Sequence, residues 1–221
     1  MKKSLLLLPA LLLISFMANA QLIKDRTGGK VTIGFDLFTD INTGDSYENF
    51  NLRSINQGFD TYITYNFPMA ETKHTVSLGL GVSCHNYYMK NAWLSEPYND
   101  VITFKEEPAV KKSKINLNYL DVPIELNFRI ADKFKISFGA KVSFLMQSKT
   151  KTKGDVFGDG HKWELKYKDI TGLESIVYGV NARVGYRCVN VFVGYQLNNS
   201  FKSGKGPKIL PFSIGIGIRA F

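Results

Sequence analysis

Leu120-Asp121-Val122-Pro123-Ile124-Glu125-Leu126-Asn127-Phe128-Arg129-Ile130 is the stretch that decides the fold of this 221-residue chain. Its apolar side chains occupy every second position, with Asp, Pro, Glu, Asn and Arg between them. Successive side chains of a β-strand point to opposite faces, so this segment presents one apolar face and one polar face. Ten steps of about 3.3 Å, tilted by about 40°, give an apolar band roughly 25 Å tall. An outer-membrane barrel shows lipid a band of that height.

The same alternation recurs in seven other places. Upstream it runs over Val31 to Leu37, Phe59 to Phe67 and Val76 to Val82. Downstream it runs over Phe134 to Met146, Ile176 to Tyr186, Val189 to Leu197 and Phe212 to Ile218. After residue 30 no stretch carries the i, i+3, i+4, i+7 spacing of an amphipathic helix. The links alternate as well. Pro68 to His74, Ala131 to Lys133 and Arg187-Cys188 are short, whereas the links near residues 39–57, 88–113, 148–175 and 199–210 are longer and more polar. In an up-and-down meander every long loop then lies at one end and every tight turn at the other, the asymmetry of bacterial outer-membrane barrels. The expected fold is all-β, an eight-stranded antiparallel up-and-down transmembrane β-barrel. Its address is the outer membrane of a Gram-negative bacterium.

Composition agrees. Hydrophobic residues make up 44% of the chain, aromatic residues 13% and charged residues 21%. That excludes a disordered tail and a polytopic helical membrane protein. A soluble secreted lipocalin-like barrel binding a small apolar ligand is the alternative, with the two faces inverted. The height of the band and the Gly and Ser of the polar face, which suit a crowded interior, favour the membrane.

Residues 1–20 read as a signal peptide. Lys2 and Lys3 precede an apolar run from Leu5 to Phe16, and Ala18-Asn19-Ala20 supplies the cleavage site. The barrel domain then spans residues 21–221, with 26 basic against 19 acidic residues and a formal charge of +7. Export would permit a disulfide between Cys84 and Cys188. The strand layout separates them by roughly 20 Å in height, and a bridge needs Cα atoms within about 7 Å, so both thiols are expected free.

Asn118-Tyr119-Leu120-Asp121-Val122-Pro123-Ile124-Glu125-Leu126 resembles the Tyr-Leu-x-Ile-Pro strand of the PorT-like, porin-family outer-membrane β-barrel proteins of Bacteroidota. The Ala131-Asp132-Lys133 turn, the Phe-x-Ile-x-Phe-Gly-Ala strand after it and the terminal Phe221 fit too. The resemblance covers roughly residues 30–221 and implies an outer-membrane barrel, with no catalytic residues. Arg219 and Gly217 depart from it, because they stand where the usual C-terminal assembly signal has apolar residues.

An eight-stranded barrel has an interior that side chains can fill, and wide pores need about 16 strands. The polar face places Asp36, Asp60, Glu125, Arg129, Lys141, Arg183 and Arg219 in the lumen. Buried charges must pair, so these residues are expected to form a salt-bridged plug, with Glu125 in reach of Lys141 or Arg183. A proton or small-ion path is the other use of such a lumen. No P-loop, zinc spacing or nucleophile elbow occurs, and no catalytic residue, metal site or cofactor is expected. His85 beside Ser83 is read as structural. The loop Gly154 to Gly160 lacks the alternating ligands of a calcium loop and reads as a Gly/Asp turn.

Lysines supply the remaining signal. Lys111, Lys112 and Lys114 lead into one strand of a hairpin, and Lys149, Lys151 and Lys153 leave the other. They gather at the outer rim, where they solvate the barrel or contact lipopolysaccharide phosphates. The expected role is structural or surface-interacting. The expected partners are outer-membrane lipid, lipopolysaccharide, and a protein or surface met by the extracellular loops. Nucleic acid is excluded by export, and a monomer is expected.

Overall fold

The computed structural model describes residues 30–45, 50, 52–69 and 72–220. The expected signal peptide and Phe221 lie outside the described residues. In chain order the strands are β1 (Val31–Asn42), β2 (Asn56–Pro68), β3 (Thr75–Met89), β4 (Ala92–Glu96) and β5 (Thr103–Glu106). They continue with β6 (Val110–Ala131), β7 (Phe134–Gly154), β8 (Trp163–Lys168), β9 (Ile176–Tyr186), β10 (Val189–Gln196) and β11 (Pro211–Ala220).

Eight of them pair antiparallel in the order β6-β3-β2-β1-β11-β10-β9-β7, and the pairing of β6 with β7 closes the ring. Closure matters because lipid offers no partner to a bare strand edge. Strands β4 and β5 form a separate hairpin, and β8 pairs with the upper end of β7. The tight turns follow β2, β6 and β9, so the end carrying the long links is the extracellular end of an outer-membrane barrel.

The outward face is the apolar one. Leu80, Ile124, Phe138, Val191 and Ile216 are exposed around the wall, as a lipid-facing band requires. Tyr65 and Tyr186 mark its periplasmic edge, and Tyr178 and Tyr195 its upper edge, where rings with a polar tip meet the headgroups. The lipocalin arrangement, with apolar residues inside the barrel, is not what the chain adopts. At Pro123, which has no N–H to give, the β3–β6 ladder lapses between the Leu78–Ile124 and Gly81–Asp121 pairs, while the opposite side still pairs with Lys141.

The strands run further than the apolar band. β6 has 22 residues and β7 has 21, and with β4, β5 and β8 they turn about half of the links expected as loops near 88–113 and 148–175 into strand. Above the band the two faces exchange character. On β6, Leu120 and Val122 face out below, whereas Ile115, Leu117 and Tyr119 are buried inside above. On β3, Leu78 and Leu80 face out below, whereas Tyr87 and Met89 are buried inside above. On these two strands alternation runs on through the exchange, and water replaces lipid as the outer solvent. Both cysteines are free.

Candidate functional site

The lumen is filled in tiers. Nearest the periplasm, hydrogen bonds run across five strands. Asn66 Nδ2 donates to Thr32 (2.8 Å), Ser77 Oγ donates to Asn66 Oδ1 (2.6 Å), Asn127 Nδ2 donates to Ser77 (2.6 Å), and Ser137 Oγ donates to Asn127 Oδ1 (2.6 Å). Above them lies a four-residue ion cluster. Arg183 grips Asp36 with two bonds of 3.0 and 2.7 Å, and Arg219 Nη2 stands 2.8 Å from both Glu125 oxygens. Arg183 Nε lies 3.9 Å from Glu125, so that carboxylate faces both guanidiniums. Tyr62 joins the halves, accepting from Arg219 Nε at 2.6 Å and donating to Asp36 at 3.5 Å.

The next tier holds Lys141 between Asp121 at 2.9 Å and Asp60 at 3.5 Å. The highest joins His85 Nδ1 to Asp40 at 2.6 Å, and Ser213 Oγ donates to the other Asp40 oxygen at 2.6 Å. A cavity of about 100 Å³ remains, lined among others by Asp60, His85, Asp121 and Lys141. Charge and shape here hold the wall together from inside.

An apolar cap lies over the tiers. Tyr87, Met89, Ile115, Leu117 and Tyr119 of the wall meet Leu94, Ile102 and Phe104 of the β4–β5 hairpin, with Leu173, Phe201 and Ile209 from the other long links. Each fully buried side chain of this size contributes about 1.5–3 kcal/mol. Backbone bonds tie the hairpin down, from Ile102 N to Lys205 O (3.1 Å) and from Thr171 N to Pro97 O (3.0 Å).

Outside, the raised part of β6, β7 and β8 carries a basic face. Cross-strand register sets Lys112, Lys153 and Glu164 in one row, Lys114, Lys151 and Lys166 in the next, and Asn116, Lys149 and Lys168 in the third. Glu164 is the single acid in these rows. It meets Lys151 at 2.9 Å, Lys166 at 2.8 Å and Lys153. Hydrogen bonds from Lys153, Lys166 and Lys151 hold its carboxyl well below the usual carboxylate range. Burial, with Lys112 and Lys151 adding to it against an opposing effect of Cys84, pulls the Lys114 ammonium down. Lys112 and Lys114 also lie 5.5 and 5.8 Å from the centre of the Tyr88 ring. The rows begin three residues above Met146, an exposed member of the apolar band, and rise about 8 to 18 Å above it.

The model of the outer membrane protein beta-barrel domain matches residues 19–205. The chain belongs to that family. No curated protein sequence matches this outer-membrane barrel. Among solved structures it resembles Neisserial surface protein A at 14% identity, covering 86% of this chain and 96% of that one, with a TM-score of 0.40. Ail of Yersinia pestis, in complex with the heparin analogue sucrose octasulfate, gives 14% identity, coverages of 86% and 95%, and a TM-score of 0.37. The outer membrane protease OmpT of Escherichia coli gives 14% identity, coverages of 76% and 64%, and 0.39. The closed strand order, rather than these scores, carries the barrel assignment.

Within this outer-membrane barrel, Asp36, Asp60, Glu125, Lys141, Arg183 and Arg219 all turn inward. Arg129 does not join them. It is exposed at the periplasmic end of β6 and enters no ion pair with the lumenal residues among those described. Of the two cations expected for Glu125, Arg183 lies 3.9 Å from it, whereas Lys141 takes Asp121 and Asp60; the closest partner of Glu125 is Arg219. Asp40 and Asp121 are the carboxylates that sequence reasoning missed, although both share the inward parity of residues already placed there. Lys111 stands apart from the lysine rows, beside the bulge between Val110 and Lys112. Lys166 and Lys168 were missed because β8 was read as loop, although Trp163 to Lys168 alternates. Asp155 closes its own loop by accepting from the Asp159 and Gly160 amides at 3.1 and 2.8 Å. Among the described residues no three His, Cys, Asp or Glu converge on a metal position.

Proposed function

We propose that the protein is a plugged, monomeric surface barrel of the PorT-like branch, whose raised basic face holds lipopolysaccharide phosphates. The observation that carries this reading is the register of Lys112, Lys114, Lys149, Lys151, Lys153, Lys166 and Lys168 on adjacent strands. Cross-strand neighbours on one face stand about 4.5–5.5 Å apart, so like charges there repel unless anions intervene. The rows lie just above the lipid-facing band, where outer-leaflet phosphates are found, and each lysine near such a surface contributes about 1 kcal/mol. The ion-pair tiers and the apolar cap support a lumen that is plugged rather than conducting. The complete ring of paired strands supports a monomer, and the Tyr119-Leu120-Asp121-Val122-Pro123 strand supports the branch.

The test is the lipopolysaccharide that co-purifies with the barrel. Changing Lys112, Lys114, Lys149, Lys151 and Lys153 to Gln lowers it while heat-modifiable gel mobility stays unchanged. Lys111→Gln, outside the rows, leaves it unchanged. Equal lipopolysaccharide on wild type and the five-fold variant refutes the reading.

A further inference from the structure

The sheet is closed everywhere except at one strand. β8 pairs along one side with β7, from Lys149–Lys168 to Gly154–Trp163, and no other described backbone group bonds to it. Every second residue of an antiparallel strand turns its N–H and C=O away from its partner, so β8 offers about three such pairs to water. An uncovered edge of this kind is a template for another strand.

The side chains flanking the edge differ on its two sides. On the outer side stand Glu164, Lys166 and Lys168, next to the lysines of β7. Glu164 is already engaged by Lys151, Lys153 and Lys166. On the inner side Tyr98 is 57% exposed and Trp163 44% exposed. Tyr98 lies 6.0 Å from Tyr167, and Trp163 lies 5.6 Å from Phe157. These rings form a floor beside the edge with nothing over it among the described residues.

We propose that the free edge of β8 takes up an extended acidic segment of another protein as an added strand. Alternate carboxylates of that segment lie beside Lys166 and Lys168, and the apolar residues between them cover Tyr98 and Tyr167. Residues directly opposite on one face of a sheet stand about 4.5–5.5 Å apart, within reach of a Lys–Glu pair. A second copy of this chain does not fit. Barrels in one membrane share an orientation, so two β8 edges would meet in parallel about an axis along the membrane normal, with opposite faces forward; Lys166 and Lys168 would then lie beside the aromatic side of the other copy and meet no carboxylate. The occupant extends the surface role beyond lipid, and binding it requires neither the β6 lysines nor any lipopolysaccharide.

The probe is a capped peptide of alternating Glu and Val, six residues long, titrated onto the full chain refolded in zwitterionic detergent free of lipopolysaccharide. A matched peptide carries N-methyl groups on the amides that would face β8; it keeps the charge and loses the backbone bonds. Saturable binding is expected for the first peptide, at least tenfold weaker for the methylated one, and weaker for the first on Lys166→Gln/Lys168→Gln. Binding should also slow amide exchange along Trp163–Lys168. Equal affinity for both peptides would show charge attraction without strand addition, and absence of binding would remove the edge as a site; either overturns the proposal. The lipopolysaccharide measurement is separate, so each reading can fail alone.

Discussion

Replacing Glu125 by Gln removes the carboxylate that stands between two buried guanidiniums. Arg219 Nη2 is 2.8 Å from both of its oxygens, and Arg183 Nε is 3.9 Å away. The two arginines do not lose equally. Arg183 keeps its double bond to Asp36, at 3.0 and 2.7 Å, whereas Arg219 is left with the Tyr62 hydroxyl at 2.6 Å and the Tyr62 ring. Breaking a buried pair by removing one partner costs about 3–5 kcal/mol, since the surviving charge stays desolvated. With Arg183 still paired and the Gln oxygen still an acceptor, the low end applies, about 3 kcal/mol.

Equilibrium unfolding by urea in detergent, followed by gel mobility, measures the loss. A neutral pair, Glu125→Leu with Arg219→Met, separates the charge effect from packing, because removing both leaves no charge uncompensated and takes only one hydrogen bond each from Asn181 and Tyr62. It should recover most of the stability lost by Glu125→Gln. A Glu125→Gln barrel within about 0.5 kcal/mol of wild type would refute the argument. So would a double variant as unstable as the two single changes added together.

Gly217→Ala should destabilise by about 1–3 kcal/mol, because an added Cβ would stand 1.8 Å from Asp36 Oδ1 and push that carboxylate off Arg183. The same unfolding assay reads it, and wild-type stability would show that Asp36 has room to move. Leu94→Ala, in a fully buried position of the cap, should cost about 2–5 kcal/mol locally. Amide exchange then speeds up in β4 and β5 and not in the membrane strands; uniform acceleration would count against a separate cap. Glu164→Gln should raise the retained lipopolysaccharide by freeing Lys151, Lys153 and Lys166, and a decrease would argue against phosphate binding there. Acidification from pH 7 to pH 5 should not mimic that change. A depressed carboxyl keeps its charge well below the ordinary value of 4.5, and the stabilisation it gives is complete above 4.5 and lost only as pH falls from there toward its own lower value.

The membrane half of the barrel was legible because lipid imposes one rule on every strand. Leu120, Val122, Ile124, Leu126 and Phe128 could face one solvent alone, and their alternation fixed which side chains turn inward. The ion cluster followed from that parity, but its closest pairs did not. Glu125 was expected in reach of Lys141 or Arg183, and Arg183 lies 3.9 Å from it, but the stagger of the barrel also brings Arg219 of β11 across the lumen to 2.8 Å. Arg129 obeys the same parity, yet it lies near the end of β6, beyond the crowded interior. The upper half was hidden by the exchange of faces. Ile115, Leu117 and Tyr119 are apolar on the opposite side from Leu120 and Val122, so the pattern seemed to stop where the strand continued. A bulge at Met146 adds to this on β7, where Tyr119 pairs with Leu145 and Asn118 with Gln147. The inward side passes there from Ser143 to Ser148, Thr150 and Thr152.

Strict alternation also decides where a partner can be met. Below the exchange of faces, the polar groups of β6 from Asp121 to Asn127 point into a lumen closed by the cap, so Asp121 and Glu125 touch the barrel's own Lys141 and Arg219. The outward residues at that level must be apolar, and any chemistry among them would cost several kcal/mol in lipid. Above the exchange the apolar side chains turn in to build the cap, and Lys112, Lys114 and their neighbours are released to the outside. One strand therefore carries the pairs that hold the ring in its lower half and the charges that reach beyond the membrane in its upper half. Substitutions below Tyr119 should register in unfolding, whereas those in the lysine rows should register in association, because no side chain in those rows faces the lumen.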